Sequence, residues 1–391
     1  MFKGLSVSWW KVVSKKYRNV LVCCEPSLDE LQHFVEHSND PLIFRFYKNI
    51  DEVEHALENE DSAVIMDFTP QTVTEQNKLE NFLKSKQRSI YVIGILHKVR
   101  SDLILRWLDV GADDLLFNLS LRALLPDALG QWQAVRNADD EEKARLFFRH
   151  RYTLAERLQN AILYRSFEQI QSLNLDSSIL FKPQSGNLSG DYYSFRVNTK
   201  NEMELFLADA IGHGINAAML TLEIDRIVRQ SYAISDLNLR MQYLNEEWNK
   251  LPGRKTFFSG FSCKIDKKKI TYISAGHPSG YLIKEDGSIE SLFTGGKLLG
   301  IRGENDYPIS EISYAAGDIL LLVTDGMYEQ LNSEEEEYGE DRLLSTLGSL
   351  KTYGNQLSPT SINKILYDDL RAFMNNHSLQ DDLSSICIKL N

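Results

Sequence analysis

One stretch constrains this chain more than any other: Glu204 to Leu220, ELFLADAIGHGINAAML. Leu205-Phe206-Leu207 is an apolar run suited to a buried strand, and the run ends on Asp209. Gly212-His213-Gly214 follows, and Ala217-Ala218 then opens an apolar helical pattern. The pattern predicts a strand that carries a carboxylate to its tip, a turn where glycines let the backbone come close to a ligand, and a helix leading away. An acid at a strand end beside such a turn suits a metal or a phosphate. It also suits an ordinary turn, because Asp bonds readily to nearby backbone. On this stretch alone both readings stay open.

A chain of 391 residues is longer than one ordinary domain, so two domains and a connector are expected. With 43% hydrophobic and 25% charged residues, it can bury real cores as a soluble globular protein. The net charge of -12 argues against nucleic-acid or anionic-membrane binding, which require clustered Lys and Arg. It suits a cytoplasmic protein that handles metal ions or protein partners. Cys23, Cys24, Cys263 and Cys387 show no metal-ligand spacing and are expected to be buried free thiols. No apolar run is long enough to span a membrane. Residues 1–18, a short N-terminal extension, lack the sustained apolar core and cleavage site of a signal peptide.

From 19 to 132, strand and helix patterns alternate. Val20–Cys23, Ile43–Phe46, Ala63–Met66, Tyr91–Leu96 and Leu115–Phe117 read as strands. Ser27, Ser101 and Ser120 sit where helix caps are expected. Five such units predict a parallel sheet covered on both faces. At Asp67 and at Gly111-Ala112-Asp113-Asp114 the stretch resembles a response-regulator receiver domain, an α/β flavodoxin-like fold. The resemblance implies that Asp67 stands at the phosphoacceptor position. It departs from the family where the acid pair that holds magnesium is replaced by Cys24 and Glu25, the Thr or Ser by Leu96, and the Lys by Asn118. Without that charge, phosphoryl transfer loses its electrostatic support, so a degenerate receiver is expected.

Residues 133–173 form a helical linker with mixed charge, in which Leu154, Leu158 and Ala161 share one face. A helix packed on its own domains and a coiled coil joining two copies fit equally well, because the apolar repeat spans too few heptads to decide. From 174 to 391 the pattern is mostly β with a few long helices, which predicts an α+β sandwich. Here Asp191, Asp209, Asp325 and Asp381 each lie at the start or end of an expected strand. Converging carboxylates would need cations between them or raised pKa values. Oxygen ligands without His or Cys clusters favour magnesium or manganese, and a pair of such ions can ionise water and clamp a phosphoryl group. Four unrelated turn aspartates remain the alternative.

The ordered motifs SGDYYSF (from Ser189), LADAIGHGINAAM (from Leu207), SAGHPSGYLI (from Ser274), LLVTDGMYEQ (from Leu321) and QDDLSSICIKL (from Gln380) resemble the SpoIIE/RsbU branch of the PPM phosphatases, protein phosphatases of type two C. The resemblance implies a four-layer α-β-β-α sandwich with two divalent cations, Mn or Mg, between its sheets. Asp209 would bridge them with help from the Ala210 carbonyl; Asp325 and Asp381 would bind one ion and Asp191 the other. Activated water would be the nucleophile. His213 and His277 are candidates to protonate the leaving serine oxygen, or else to hold their turns. The family often has a second acid where Ser194 stands, and a Thr where Ser384 stands. The implied function is a protein serine/threonine phosphatase in bacterial partner switching, acting on a STAS-type anti-sigma-factor antagonist under control of the receiver-like domain. The rival is a catalytically inactive adaptor that binds a signalling partner through the same fold. No basic recognition helix supports a transcription factor.

Overall fold

The computed structural model describes, within the first 139 residues, 19–23, 43–47, 50–57, 63–67, 73–85, 90–96, 107, 110 and 112–117. From 140 to 391 it describes all residues except 174, 185, 213, 252–255, 267, 304–305, 351–356 and 376. The chain divides into two compact units, Met1–Leu154 and Ala155–Asn391.

In the first unit, β1 (Asn19–Cys23), β2 (Ile43–Tyr47), β3 (Ala63–Asp67), β4 (Tyr91–Leu96) and β5 (Asp114–Phe117) form a parallel sheet. Its strand order is β2-β1-β3-β4-β5, the flavodoxin-like order. Helices α1 (Ile50–Ala56) and α2 (Val73–Ser85) belong to the same unit. Ala63, Val64, Ile65 and Met66 are all buried, as are Val92, Ile93 and Ile95. Consecutive burial needs both sheet faces covered, which explains why these strands read as unbroken apolar runs. Asp67 closes β3 and Leu96 closes β4. Cys24, Glu25, Gly111 and Asn118 lie outside the described residues, as do the helices expected after Ser27, Ser101 and Ser120, apart from single positions at 107 and 110.

Helix α3 (Asp140–Ser172) enters the second unit at Ala155. Ten antiparallel strands follow in two sheets. The first holds β7 (Asp191–Val197), β8 (Met203–Ala210), β9 (Phe258–Ile265), β10 (Lys269–Ala275) and β13 (Ser310–Ser313), in the order β13-β10-β9-β8-β7. The second holds β6 (Ser177–Lys182), β11 (Gly280–Ile283), β12 (Ile289–Leu292), β14 (Ile319–Val323) and β15 (Leu383–Lys389), in the order β12-β11-β14-β15-β6.

Helices cover the outer faces. On the first sheet lie α4 (Gly214–Ser231) and α5 (Leu237–Asn249); Tyr192 donates its hydroxyl to Asp225 at 2.9 Å, and the Trp248 ring meets Phe258 edge-on at 4.6 Å. On the second lie α6 (Glu340–Ser349) and α7 (Pro359–Phe373). Ile319, Leu321 and Val323 share a core with Leu343, Leu347, Ile362, Leu366 and Leu370 of these helices. Leu320 and Leu322 alternate with them and are also buried, so β14 is covered on both faces. Local caps fix the helix starts: Asp236 caps α5 by accepting from the Leu239 N–H, and Ser358 and Ser361 form a capping box with Pro359 in the first turn of α7.

Two expectations need adjustment. The strand carrying Asp209 runs on through Ala210, because Ala210 still pairs with Phe258. Strand β13 was not foreseen: Ser310-Glu311-Ile312-Ser313 has one apolar residue, as suits an edge strand with little buried surface. On α3, Leu158, Ile162 and Ile170 are buried, while Gln159 and Arg165 bond to Ser189 and Asp225 of the same unit. Among the described residues no helix is long and apolar enough to cross a membrane.

Glu204 of β8 fastens the first sheet to α5. It is 2% exposed and accepts from Arg196 at 2.6 Å, Asn198 at 3.0 Å and Arg240 at 3.1 and 3.2 Å. Burial alone would raise its pKa, but the hydrogen bonds from Arg196 and Arg240 outweigh this and hold it at about 2. A depressed folded-state pKa gives stability above the unfolded value, near 4.5, that is lost as pH falls through about 2. Glu204→Gln should cost about 3 kcal/mol at pH 7 in denaturant melts, since it leaves buried guanidinium charge unpaired. The gap between variant and wild type should close as pH drops below 4.5.

Candidate functional site

The acids gather at one end of the sandwich. Asp191 and Asp209 stand directly opposite each other in the β7–β8 ladder, and Ser259 stands opposite Asp209 on the far side, in β9. Directly opposed residues share a sheet face, so these three form a polar row. From the other sheet, Asp325 follows β14 and Asp381 precedes β15. The sheets are tied where Thr324 donates its hydroxyl to Asp191 Oδ2 at 2.9 Å. Thr324 Oγ1 also accepts the Ser384 N–H at 2.9 Å. Asp191 Oδ1 is buried and has no hydrogen-bond partner.

Close backbone packing makes this convergence possible. A β-carbon at Gly190 would stand 2.6 Å from the Ala210 carbonyl oxygen and 2.9 Å from that of Gly212, so only glycine lets the strand carrying Asp191 lie against the loop after Asp209. Gly326 is tighter still: its β-carbon would fall 1.8 Å from the Asp382 carbonyl oxygen. The 184–191 loop is held from two more sides. Asp382 accepts the Gln184 and Gly190 N–H groups at 2.7 and 2.6 Å. Gln159 of α3 donates to the Ser189 carbonyl at 2.6 Å and accepts its N–H at 3.0 Å.

The electrostatics record the crowding. Burial first, and then the charges of Asp191, Asp325, Asp381 and Asp382, push the Asp209 pKa up to about 10. Burial also raises Asp191 well above the carboxylate range, with Asp382 and Asp325 adding to the shift. Asp325 is raised to about 6 by burial, Glu329 and Asp381. Among the described residues no three His, Cys, Asp or Glu side chains stand as a ready metal cage. The donor set still fits a hard divalent cation. It is all oxygen, it contains the orphaned Asp191 Oδ1, and none of the four acids pairs with a described Lys or Arg.

Other expected positions fall as follows. His213 lies outside the described residues. His277 is 3% exposed, with Nδ1 2.7 Å from Ser259 Oγ, and burial pushes its pKa down to about 3. A neutral imidazole has no second proton to give near neutrality, which favours its turn-holding role. Ser194 points away from the acids: it alternates with Asp191 and Tyr193 along β7 and bonds to Tyr232 at 2.6 Å. An acid there would not have reached the row. Cys263 and Cys387 are buried free thiols, as expected. Gln159, Thr324 and Asp382 were missed. Thr324 and Asp382 adjoin acids already singled out, whereas nothing local marks Gln159.

Raised carboxylate pKa values destabilise the metal-free fold as pH climbs. Both states hold the Asp209 proton below about 3.8; between there and about 10 only the unfolded chain ionises. Asp209→Asn should therefore stabilise the chelator-treated protein by about 2 kcal/mol at pH 8, with the gain vanishing toward pH 4. Denaturant melts across that range measure it, and a destabilised variant at pH 8 would contradict the crowding.

Residues 199–391 match the family model "Stage II sporulation protein E (SpoIIE)". The chain is 27% identical over 211 residues to phosphoserine phosphatase RsbU of Bacillus subtilis (strain 168), covering 52% of this chain and 58% of that protein. It is 23% identical over 152 residues to phosphoserine phosphatase RsbP of the same organism, covering 37% and 38%. The chain thus spans about half the length of the curated relatives it matches. Among solved structures, the SiaA-PP2C domain of Pseudomonas aeruginosa superposes with a TM-score of 0.55 at 19% identity, over 63% of this chain and 99% of that one. The two facing sheets with their outer helices agree with these matches: residues 199–391 match the SpoIIE family model, and the C-terminal unit is similar to RsbU-like phosphatases.

Proposed function

We propose that the C-terminal unit is a metal-dependent protein serine/threonine phosphatase of bacterial signalling. The observation that carries this reading is the row Asp191–Asp209, joined by Asp325 and Asp381 from the opposite sheet, with no described Lys or Arg paired to them. Asp191, Asp209, Asp325, Asp381 and the Ala210 carbonyl would hold two divalent cations, Mn or Mg, with Asp209 shared between them. Such ions would supply an ionised water and neutralise the phosphoryl group. The chain's own part is to fix the carboxylates in place, through Thr324 on Asp191 and the Gly190 contact with Ala210. His213 stays a candidate proton donor to the leaving serine oxygen.

The substrate we propose is a phosphorylated STAS-type anti-sigma-factor antagonist in the cytoplasm. The relatives' names, phosphoserine phosphatases, support the chemistry. The first unit would be a degenerate receiver over 19–132. Its strand order supports this, with Asp67 at the C-terminal end of the central strand β3, where open α/β sheets place ligands. The linker over 133–173 would pass its state to the 174–391 domain, and the Gln159 bonds to Ser189, beside the Asp191 loop, give a route. A second copy pairing through α3 would need residues other than Leu158, Ile162 and Ile170, which are buried within one chain. The rival reading is an inactive adaptor: among the described residues no three His, Cys, Asp or Glu side chains stand as a ready metal cage.

Hydrolysis of p-nitrophenyl phosphate with added Mn2+ separates the two. The phosphatase reading predicts Mn2+-dependent turnover that falls at least about a hundredfold in Asp209→Asn with the fold retained. No turnover in the wild type, or retained turnover in the variant, contradicts it. Acetyl phosphate should leave Asp67 unlabelled in the full chain; stable incorporation there would refute the degenerate-receiver reading.

A further inference from the structure

Asp382 is a buried acid of the cluster to which the phosphatase chemistry gives no role. Its side chain is 2% exposed. Oδ1 accepts the Gln184 N–H at 2.7 Å and Oδ2 accepts the Gly190 N–H at 2.6 Å. Both donors belong to the loop between β6 and β7, so one carboxylate grips that loop near each end. Such charge-assisted bonds are short and roughly twice as strong as neutral ones. They also occupy both oxygens, whereas Asp191 keeps one oxygen orphaned.

The main chain of Asp382 is engaged as well. Its N–H donates to Asp381 Oδ1 at 2.7 Å. Its carbonyl oxygen lies where a side chain on Gly326, next to Asp325, would have to go. The segments carrying Asp191, Asp325 and Asp381 therefore meet at this residue. An Asp present only to suit a turn would bond within its own turn. Asp382 instead reaches across to partners 198 and 192 positions away in the chain.

We propose that Asp382 is a positioning residue: it stays out of the ligand set and, by clamping the Gln184 and Gly190 amides, sets Asp191 at the spacing from Asp209, Asp325 and Asp381 that a divalent cation requires. This rests on the phosphatase reading of the same site. Outer-shell partners of metal ligands typically contribute about 10–100-fold to metal affinity. Asp382→Asn keeps the size but leaves one acceptor oxygen for two backbone N–H groups and sets an NH2 against the other, so it breaks the two-point clamp with little change in volume.

The test uses the full chain and two readouts. The first is amide hydrogen exchange in the metal-free protein. The second is Mn2+ binding, followed by the paramagnetic resonance signal of the free ion. In the wild type the Gln184 and Gly190 amides should be protected before any metal is added. In Asp382→Asn at least one of the two amides should lose its protection, Mn2+ should bind about 10–100-fold more weakly, and saturating Mn2+ should restore most turnover of p-nitrophenyl phosphate. Equal Mn2+ affinity, or protection of both amides retained in the variant, overturns the proposal. So does fast Gly190 exchange in the wild type, a measurement that does not depend on the variant folding. A wild type that binds no Mn2+ overturns the phosphatase reading and the positioning role together; one that binds it, beside a variant that binds it equally, overturns the positioning role alone.

Discussion

Carboxylates repel one another, and burial strengthens the repulsion because less water screens it. The second unit holds Asp191 and Asp209 side by side in one ladder and brings Asp325 and Asp381 in from the facing sheet. The cost appears in the proton affinities of Asp191, Asp209 and Asp325, all raised. Elsewhere the same unit neutralises its buried acids. Glu204 lies among Arg196, Arg240 and Lys264, and Asp225 between Arg165 and Arg229. That contrast within one domain separates the ion-paired acids from the four proposed as cation ligands.

Holding like charges together demands a stiff frame, and the frame is mostly backbone. Gly190 and Gly326 allow main-chain segments to touch where any side chain would collide. Thr324 bridges the sheets by donating to Asp191 while accepting from Ser384. Asp382 and Gln159 grip the Asp191 loop from different elements. Each device works by hydrogen bonds or close packing, which fix position without adding positive charge that would quench the acids. The outer layers are fastened through the core shared by β14, α6 and α7 and through the Glu204 network under α5.

The sequence reveals what is local and hides what is not. Alternation and apolar runs mark nearly every strand of the sandwich, because each strand's burial is written into consecutive residues. Strand β13 escapes because an edge strand buries little. The acids stand out by type and position, yet their meeting depends on register between distant strands, which no local pattern contains. Ser194 shows the limit most sharply: its neighbours in sequence flank the site, but period-two alternation turns its hydroxyl toward Tyr232. Gln159 is hidden for a similar reason, since its partners Ser189 and Thr221 lie 30 and 62 residues away.

Everything about the proposed chemistry returns to whether the acid row takes up divalent cations. Anomalous diffraction from crystals of the full chain grown with manganese decides this. Two peaks bounded by Asp191, Asp209, Asp325 and Asp381, with Asp209 between them, are the expected result. A map with no anomalous density among these four carboxylates at saturating manganese would contradict it.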